Sequence, residues 1–121
     1  MTVAEIAADF AALCKAGKSD EAGEKYWAEN VISVEAGGPP GSDPVTRGIE
    51  AVRAKGVWWY ENHDMHSFTA EGPYVNGDQF ALRFSIDVTF KPTGARMQMT
   101  EIGLYTLADG KVVEERFFYG S

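Results

Sequence analysis

The chain has 121 residues and a formal net charge of −7, and this length predicts a single domain over residues 1–121. The negative charge argues against a nucleic-acid-binding protein, which would present a basic face, and against docking on anionic membranes. The apolar fraction of 45% is typical of a globular protein, and no apolar run approaches the roughly 18 residues that would span a bilayer.

The cysteine content is compatible with a reducing compartment. Cys14 is the only cysteine, which excludes a disulfide within the chain. The N-terminal segment MTVAEIAADF shows no signal-peptide pattern, so we expect a cytoplasmic location. Cys14 lies in an apolar helical stripe, which favours a buried thiol over a nucleophile.

The first predicted helix has a capping box, formed by Thr2 and Glu5. Its apolar residues recur at helical spacing, and Gly17 ends it. These residues are Val3, Ile6, Ala7, Phe10, Leu13 and Cys14.

A second, shorter helix is predicted, with Ser19 or Asp20 as its N-cap and Asn30 as its end. Its apolar side consists of Ala22, Tyr26 and Trp27. Val31, Ile32 and Val34 then predict a short strand, and the Gly- and Pro-rich segment 36–46 predicts a loop.

A third helix and a long strand are predicted in the middle of the chain. The helix starts near Gly48 and ends about Asn62, and the strand runs from about Met65 to Tyr74. The apolar residues of the helix are Ile49, Val52, Val57, Trp58 and Trp59. Adjacent helical positions face different directions, so only one of Trp58 and Trp59 can face the core.

Residues 80–119 predict three antiparallel strands. Apolar residues alternate with polar ones from Phe80 to Phe90, the period of a strand with one buried face. Thr93-Gly94 and Asp109-Gly110 are typical reversal signals.

The resulting order, α-α-β-α-β-β-β-β, predicts an α+β domain, with three N-terminal helices in the concavity of a strongly curved, mostly antiparallel sheet. The segments FAALCKAGKSDEAGEKYWAENVISVE, VWWYENH and YTLADGKVVEERFFY are similar to those of SnoaL-like proteins in the nuclear transport factor 2-like superfamily. The resemblance implies a conical pocket between helices and sheet. It does not imply one activity, because this superfamily contains isomerases, cyclases, dehydratases and non-enzymes.

The predicted turns set which residues face the pocket, because register decides the face. A two-residue turn at Thr93-Gly94 pairs Ile86 with Glu101 and Leu82 with Tyr105. A three-residue turn at 108–110 pairs Glu101 with Phe117 and Met99 with Tyr119.

The turn at Asn76-Gly77-Asp78 has two possible forms. A three-residue turn places His66 beside Val88 and Phe68 beside Ile86, with Glu71 across from Arg83 on the outer face. A two-residue turn at Asn76-Gly77 would send His66 and Phe68 outside, which disfavours it.

The predicted inner face contains three polar groups among apolar walls: His66, Glu101 and Glu115. Burial would raise the pKa of Glu101, as suits a general acid or base near neutral pH. Glu101 and His66 are therefore candidate catalytic residues, although each could instead have a structural role, and Glu115 could lie at a solvated strand end. The candidate ligand-binding residues are Trp58, Met99, Tyr105, Glu115, Phe117 and Tyr119.

Glu35 becomes a third catalytic candidate through the resemblance. In related steroid isomerases a general-base aspartate occupies the matching place, in a segment similar to WAENVISVEAG. Two departures argue against steroid isomerase activity itself. Phe10 stands where those enzymes have a tyrosine, and Ile102, or Glu101 in an alignment shifted by one, stands where they have a protonated aspartate.

Two functions are compatible with these features. One is a cofactor-independent acid/base enzyme, an isomerase, cyclase or dehydratase, acting on a small hydrophobic carbonyl compound. The other is a non-catalytic ligand-binding or dimerisation protein of the same fold. No nucleotide-binding motif is present, and His63 and His66, at a helix end and a strand start, are not expected to form a metal site.

The residues predicted on the outer sheet face indicate a contact with a second copy of the chain. Ile102 and Leu104 form an apolar patch there among polar residues. Relatives of this fold commonly pair through this face, so we expect a homodimer.

Overall fold

The computed structural model describes residues 1–38 and 40–120. Three helices and six strands follow one another in the described part of the chain. They are α1 (Val3–Lys15), α2 (Ser19–Tyr26), β1 (Trp27–Val34), β2 (Val45–Arg47), α3 (Ile49–Asn62), β3 (His63–Asn76), β4 (Gln79–Phe90), β5 (Ala95–Ala108) and β6 (Lys111–Phe118).

The six strands form one sheet in the order β2-β1-β6-β5-β4-β3. All neighbours are antiparallel except β1 and β6, which run parallel. The helices pack against one face of this open sheet, so the predicted α+β class is confirmed. None of the helices described is long and apolar enough to cross a membrane.

Helix α1 has the predicted cap and the predicted buried side. The Thr2 Oγ1 accepts from the Glu5 amide at 3.1 Å, and the Glu5 carboxylate accepts from the Thr2 amide at 2.9 Å. This reciprocal pair satisfies two amides that the helix itself leaves unpaired. Phe10 and Cys14 on its inner side are buried, as predicted.

Helix α2 differs from its prediction at both ends. Its N-cap is Lys18, without a side-chain hydrogen bond, and it ends at Tyr26 rather than Asn30. The chain leaves the helix at Trp27 because β1 pairs there with β6, opposite Val112. The predicted loop also ends earlier, since Val45–Arg47 forms β2 along the edge of β1.

The β3–β4 pairing agrees with the predicted partners at Phe68 and Glu71 but not at His66, and its turn differs from the predicted one. The turn consists of Gly77 and Asp78, and an irregularity between Glu71 and Tyr74 then shifts the register by one residue. Phe68 therefore lies opposite Ile86, and Glu71 opposite Arg83, as predicted.

The other two hairpins are shifted by two residues from their predicted registers. The β4–β5 connection is a four-residue turn, 91–94, so Glu101 pairs with Phe84 rather than Ile86. Pro92 explains the longer turn, since it has no amide to donate to a ladder. In β5–β6, a two-residue turn at 109–110 and an irregularity after Thr106 place Tyr105 opposite Glu115. A shift of two leaves every side chain on its predicted face.

The core is aromatic at its centre. The ring of Tyr105 lies 4.6 Å from that of Phe10 and 4.9 Å from that of Phe80, centroid to centroid. All three side chains are almost fully buried. Each buried ring of this size contributes about 2 kcal/mol to the free energy of unfolding, so the contact of α1 with the sheet is a main source of stability.

Candidate functional site

The inner face of β5 is filled at one end and open at the other. Leu107 and Tyr105 are 5% and 3% exposed, whereas Met97 is 43% exposed. Glu101 lies between them and is partly buried. The concave face therefore opens where β5 begins, and Glu101 is the carboxyl group at the border between core and solvent.

Glu115 is buried opposite Tyr105, at the filled end of this face, with 6% exposure. Its two carboxylate oxygens accept hydrogen bonds, each 2.8 Å long, from the Trp27 indole and the Ser33 hydroxyl. Burial raises the pKa of Glu115, and these two hydrogen bonds partly oppose that rise. The interpretation of Glu115 as a solvated strand end is thus wrong, and its inner-face position is confirmed.

Lys55 on α3 joins this buried group to the surface. Its ammonium donates to Ser33 Oγ at 2.5 Å and to Glu35 Oε1 at 2.7 Å. The same ammonium lies 5.6 Å from the ring centroid of Phe117. The side chain is 29% exposed, so the cation is only partly solvated.

Glu35 is held from two sides. Besides Lys55, the Tyr119 hydroxyl lies 3.0 Å from Glu35 Oε2 and 3.2 Å from the Gly37 carbonyl oxygen. A continuous hydrogen-bonded chain therefore runs through Trp27, Glu115, Ser33, Lys55, Glu35 and Tyr119. We call these six residues the polar chain.

Glu101 lies beside the polar chain but is not part of it. None of the described residues forms a hydrogen bond with its carboxyl group. Burial raises the pKa of Glu101 to about 7, the negative charge of Glu35 adds to the rise, and the positive charge of Lys55 opposes it. The structure thus places the charges of Glu35 and Lys55 near Glu101, and Lys55 connects to Glu115 through Ser33.

The remaining wall residues have the predicted orientation. Met99 and Phe117 are partly buried and pack against the core. Phe117 meets Tyr105 edge to face, with centroids 6.3 Å apart. Gly103 does not leave open space, because the Tyr105 ring occupies the position above it.

The inner-face position predicted for His66 is wrong. The strand is irregular between Met65 and Ser67, so His66 turns outward and is exposed. Its Nε2 lies 2.7 Å from Thr89 Oγ1 on the outer sheet face. His66 therefore does not share a site with Glu101.

The wall position predicted for Trp58 is wrong, and it is Trp59 that faces the core. Trp58 is 53% exposed near Phe90 and His63, whereas Trp59 packs against the core. His63 donates from Nδ1 to the Trp59 carbonyl at 2.8 Å and so caps the end of α3. Among residues 1–38 and 40–120, no group of three or more His, Cys, Asp and Glu could hold a metal ion.

Sequence reasoning missed Lys55, Ser33 and Trp27, although two patterns point to them. Lys55 lies three residues after the buried Val52, which puts it on the inner side of α3. Ser33 lies two residues after the buried Val31, so it lies on the inner face of β1, two residues before Glu35. A lysine and a serine at inward-facing positions were the sequence signals that could have identified these residues.

Glu101 does not line either of two cavities found among the described residues. One, of about 300 Å³, is a groove on the outer sheet face lined by residues that include Ser67, Ser85 and Asp87. The other, of about 170 Å³, lies between the end of α1, α3 and β3. Its lining residues are Gly17, Ser19, Tyr60, Met65 and Phe68.

The comparisons with known proteins agree with this architecture. A crystal structure from Mesorhizobium loti is 55% identical to the chain, with a TM-score of 0.93, and the match covers 98% of this chain and 100% of the other. Its description names, provisionally, a SnoaL-like polyketide cyclase and a carbohydrate phosphatase. No curated protein matches the chain.

More distant structures share the fold alone. A protein from Bacillus subtilis, described provisionally as an isomerase, is 23% identical, with a TM-score of 0.79 and coverage of 99% and 90%. A provisional SnoaL-like polyketide cyclase from a Jannaschia species is 19% identical, with a TM-score of 0.73 and coverage of 97% and 84%. The family model of the SnoaL-like domain matches residues 1–119, and the chain therefore belongs to the SnoaL-like family.

Proposed function

We propose that this SnoaL-like protein binds a small, hydrophobic carbonyl compound at the open end of its concave face and moves a proton on it by acid/base catalysis without a cofactor. Glu101 is the group that exchanges the proton. The observation that carries this proposal is a partly buried carboxyl group without a hydrogen-bond partner among the described residues and with a pKa of about 7.

The state of Glu101 suits proton transfer at neutral pH. A general acid or base is most effective when its pKa is near the working pH, because both of its forms are then populated. A carboxyl group locked in hydrogen bonds would favour a structural role, and Glu115, with its two donors, has that arrangement. Glu101 has none among the described residues, so its carboxyl group is free to contact a ligand.

Glu35 and Lys55 set the charge of the site around Glu101. Glu35 forms a 2.7 Å ion pair with Lys55, and the negative charge of Glu35 raises the pKa of Glu101 and so favours its protonated form. Lys55, rather than the His66 expected from the sequence, is the basic side chain near the carboxyl groups of Glu35 and Glu101.

The charges also favour a neutral ligand. Three carboxyl groups, those of Glu35, Glu101 and Glu115, surround one ammonium, that of Lys55, which already forms hydrogen bonds with Glu35 and Ser33. An anionic ligand would be repelled by the carboxylates, and the ammonium of Lys55 is already engaged. A ketone or aldehyde with an apolar body fits the Met99 and Phe117 walls and the polar border.

The proposal can be tested without knowledge of the natural substrate. Proton exchange next to a carbonyl replaces hydrogen by deuterium in D₂O, which proton NMR follows directly. Cyclohexanone, 2-tetralone and acetophenone would be incubated with the protein and with Glu101→Gln. We expect exchange above the buffer rate for at least one ketone, with a loss of roughly 10²–10⁴-fold in the variant.

Exchange that is equally fast with Glu101→Gln would contradict the proposal. A second candidate function, non-catalytic ligand binding, is favoured by the filled inner end of the concave face, where Phe10, Phe80 and Tyr105 leave little depth. It predicts a higher melting temperature with one of the ketones but no exchange above buffer.

A further inference from the structure

The hydroxyl of Tyr105 is a polar group without a partner inside the described part of the protein. Its side chain is 3% exposed, yet none of the described residues forms a hydrogen bond with the hydroxyl. Its cross-strand neighbour Glu115 accepts hydrogen bonds from Trp27 and Ser33 instead. Buried polar groups are nearly always hydrogen-bonded, so this exception calls for a physical reason.

Packing, rather than hydrogen bonding, fixes the position of this hydroxyl. The ring leans along β5 over Gly103, where a Cβ atom would stand 2.8 Å from the hydroxyl oxygen. Only glycine leaves that room. Phe10 and Phe80 also pack against the ring, with centroids 4.6 and 4.9 Å from its own.

The hydroxyl points along the strand towards Glu101. Residues 101, 103 and 105 share the inner face of β5, and the step from Gly103 to Glu101 is roughly 7 Å. Every fully buried side-chain nitrogen or oxygen among the described residues has a partner, so the unpaired Tyr105 hydroxyl must contact accessible space. A small molecule bound beside Glu101 could therefore reach it.

We infer that Tyr105 is a second catalytic residue, which donates a hydrogen bond to the carbonyl oxygen of the bound compound while Glu101 exchanges the proton on the neighbouring carbon. This inference rests on the proposed function and narrows its ligands to compounds with a carbonyl oxygen next to an exchangeable C–H bond.

The electron balance of the step needs no other reactant. When the Glu101 carboxylate takes the proton, the C–H electron pair forms a carbon–carbon double bond, and the carbonyl π electrons move to oxygen. The Tyr105 O–H stabilises that negative charge, and Glu101 then returns the proton to carbon. A fixed donor in a site with little water stabilises such a charge more than water does.

The test compares wild-type protein with Tyr105→Phe, using acetophenone and, as a matched probe without oxygen, ethylbenzene. We expect Tyr105→Phe to bind acetophenone roughly 2- to 10-fold more weakly, the effect of one hydrogen bond, and ethylbenzene equally well. The exchange rate should fall roughly 100-fold. The infrared carbonyl frequency of bound, ¹³C-labelled acetophenone should be lower in wild-type protein than in the variant.

Three outcomes separate this inference from the proposed function. If wild-type protein and Tyr105→Phe give the same affinity, exchange rate and carbonyl frequency, the inference is wrong and the proposed function stands. If wild-type protein neither binds nor exchanges any ketone, the proposed function fails and the inference fails with it. A melting temperature several degrees lower for ligand-free Tyr105→Phe would show that the hydroxyl has a structural partner, which also overturns the inference.

Discussion

At the scale of single residues, the ionisation of Glu101 links the stability of the protein to its site. Burial raises the pKa of this carboxyl group from 4.5 to about 7, so the folded protein holds the proton more tightly than the unfolded chain does. Its contribution to the free energy of unfolding is therefore fully present below pH 4.5 and is lost as pH rises to 7 and above. At neutral pH and above, the partly buried carboxylate of Glu101 therefore lowers the free energy of unfolding below its value at acidic pH.

Glu101→Gln should remove this pH dependence. We expect the variant to be more stable than wild-type protein at pH 8, on the order of 2 kcal/mol after allowance for partial exposure, and nearly equal to it at pH 4.5. Urea unfolding at the two pH values measures the difference. Glu29→Gln, at an exposed position of β1, is the control and should show no such change with pH. An equal difference at both pH values would contradict the burial of Glu101.

The charges around Glu101 allow a second prediction with opposite signs. Lys55→Met removes the cation that lowers the pKa of Glu101, so that pKa should rise above 7. Glu35→Gln removes the anion that raises it, so the pKa should fall. Each change should be roughly one pH unit, and ¹³C NMR titration of the Glu101 carboxyl carbon would detect it. If the pKa of Glu101 moved in the same direction in both variants, the charges of Lys55 and Glu35 would not have the opposite effects that the structure indicates.

At the scale of elements, α2 and β1 together position the deepest polar contact of the site. Trp27 follows the helix directly, and its indole packs over Gly23. A Cβ atom at Gly23 would stand 2.3 Å from the nearest indole atom, so glycine is required for that packing. The same indole donates to Glu115, which connects the helix to the polar chain.

A pair of glycine substitutions tests this connection. Gly23→Ala should destabilise the protein by roughly 1–2 kcal/mol, because displacement of the indole outweighs the better helix propensity of alanine. Gly56→Ala on α3 is the matched control. Nothing lies within 4 Å of its Cβ position, so propensity alone should stabilise the protein by about 0.5–1 kcal/mol. Thermal melts of both variants decide the matter, and stabilisation by Gly23→Ala would contradict the tight contact with Trp27.

At the scale of the whole molecule, the outer sheet face remains our prediction for a homodimer contact. Ile102 on that face pairs with Phe118, whose side chain is 48% exposed, and this enlarges the apolar patch expected from the sequence. Asp87 on the same face is neutralised by Arg96 through two hydrogen bonds of 3.0 and 2.9 Å. A face with apolar residues and paired charges is suited to a two-fold contact.

Light scattering at micromolar concentration tests the assembly. We expect twice the mass of the chain for wild-type protein and the mass of one chain for Ile102→Arg, because a charge in an apolar contact is costly. Val57→Arg, at a 53% exposed position on α3, is the control and should keep the dimer mass. A wild-type mass equal to one chain would overturn this prediction.

The sequence by itself determined the elements and the faces of the meander. The alternation from Phe80 to Phe90 and the reversal signals at Gly94 and Gly110 predicted three strands, and an error of two residues in each register left Glu101 and Glu115 on the inner face. Period-two alternation makes the face robust, because only an odd shift reverses it. For this reason the sequence pattern was sufficient to identify Glu101 as a catalytic candidate.

Only the tertiary structure decided how the polar groups meet. An irregularity of one residue in β3 turned His66 to the outer face, and no local pattern announces such an irregularity. Lys55 meets Glu35 and Ser33 across 20 and 22 residues of sequence, and Trp27 meets Glu115 across 88. These contacts depend on how α3 and β1 lie against β6, and that arrangement is set by the packing of the whole core rather than by the residues near each group.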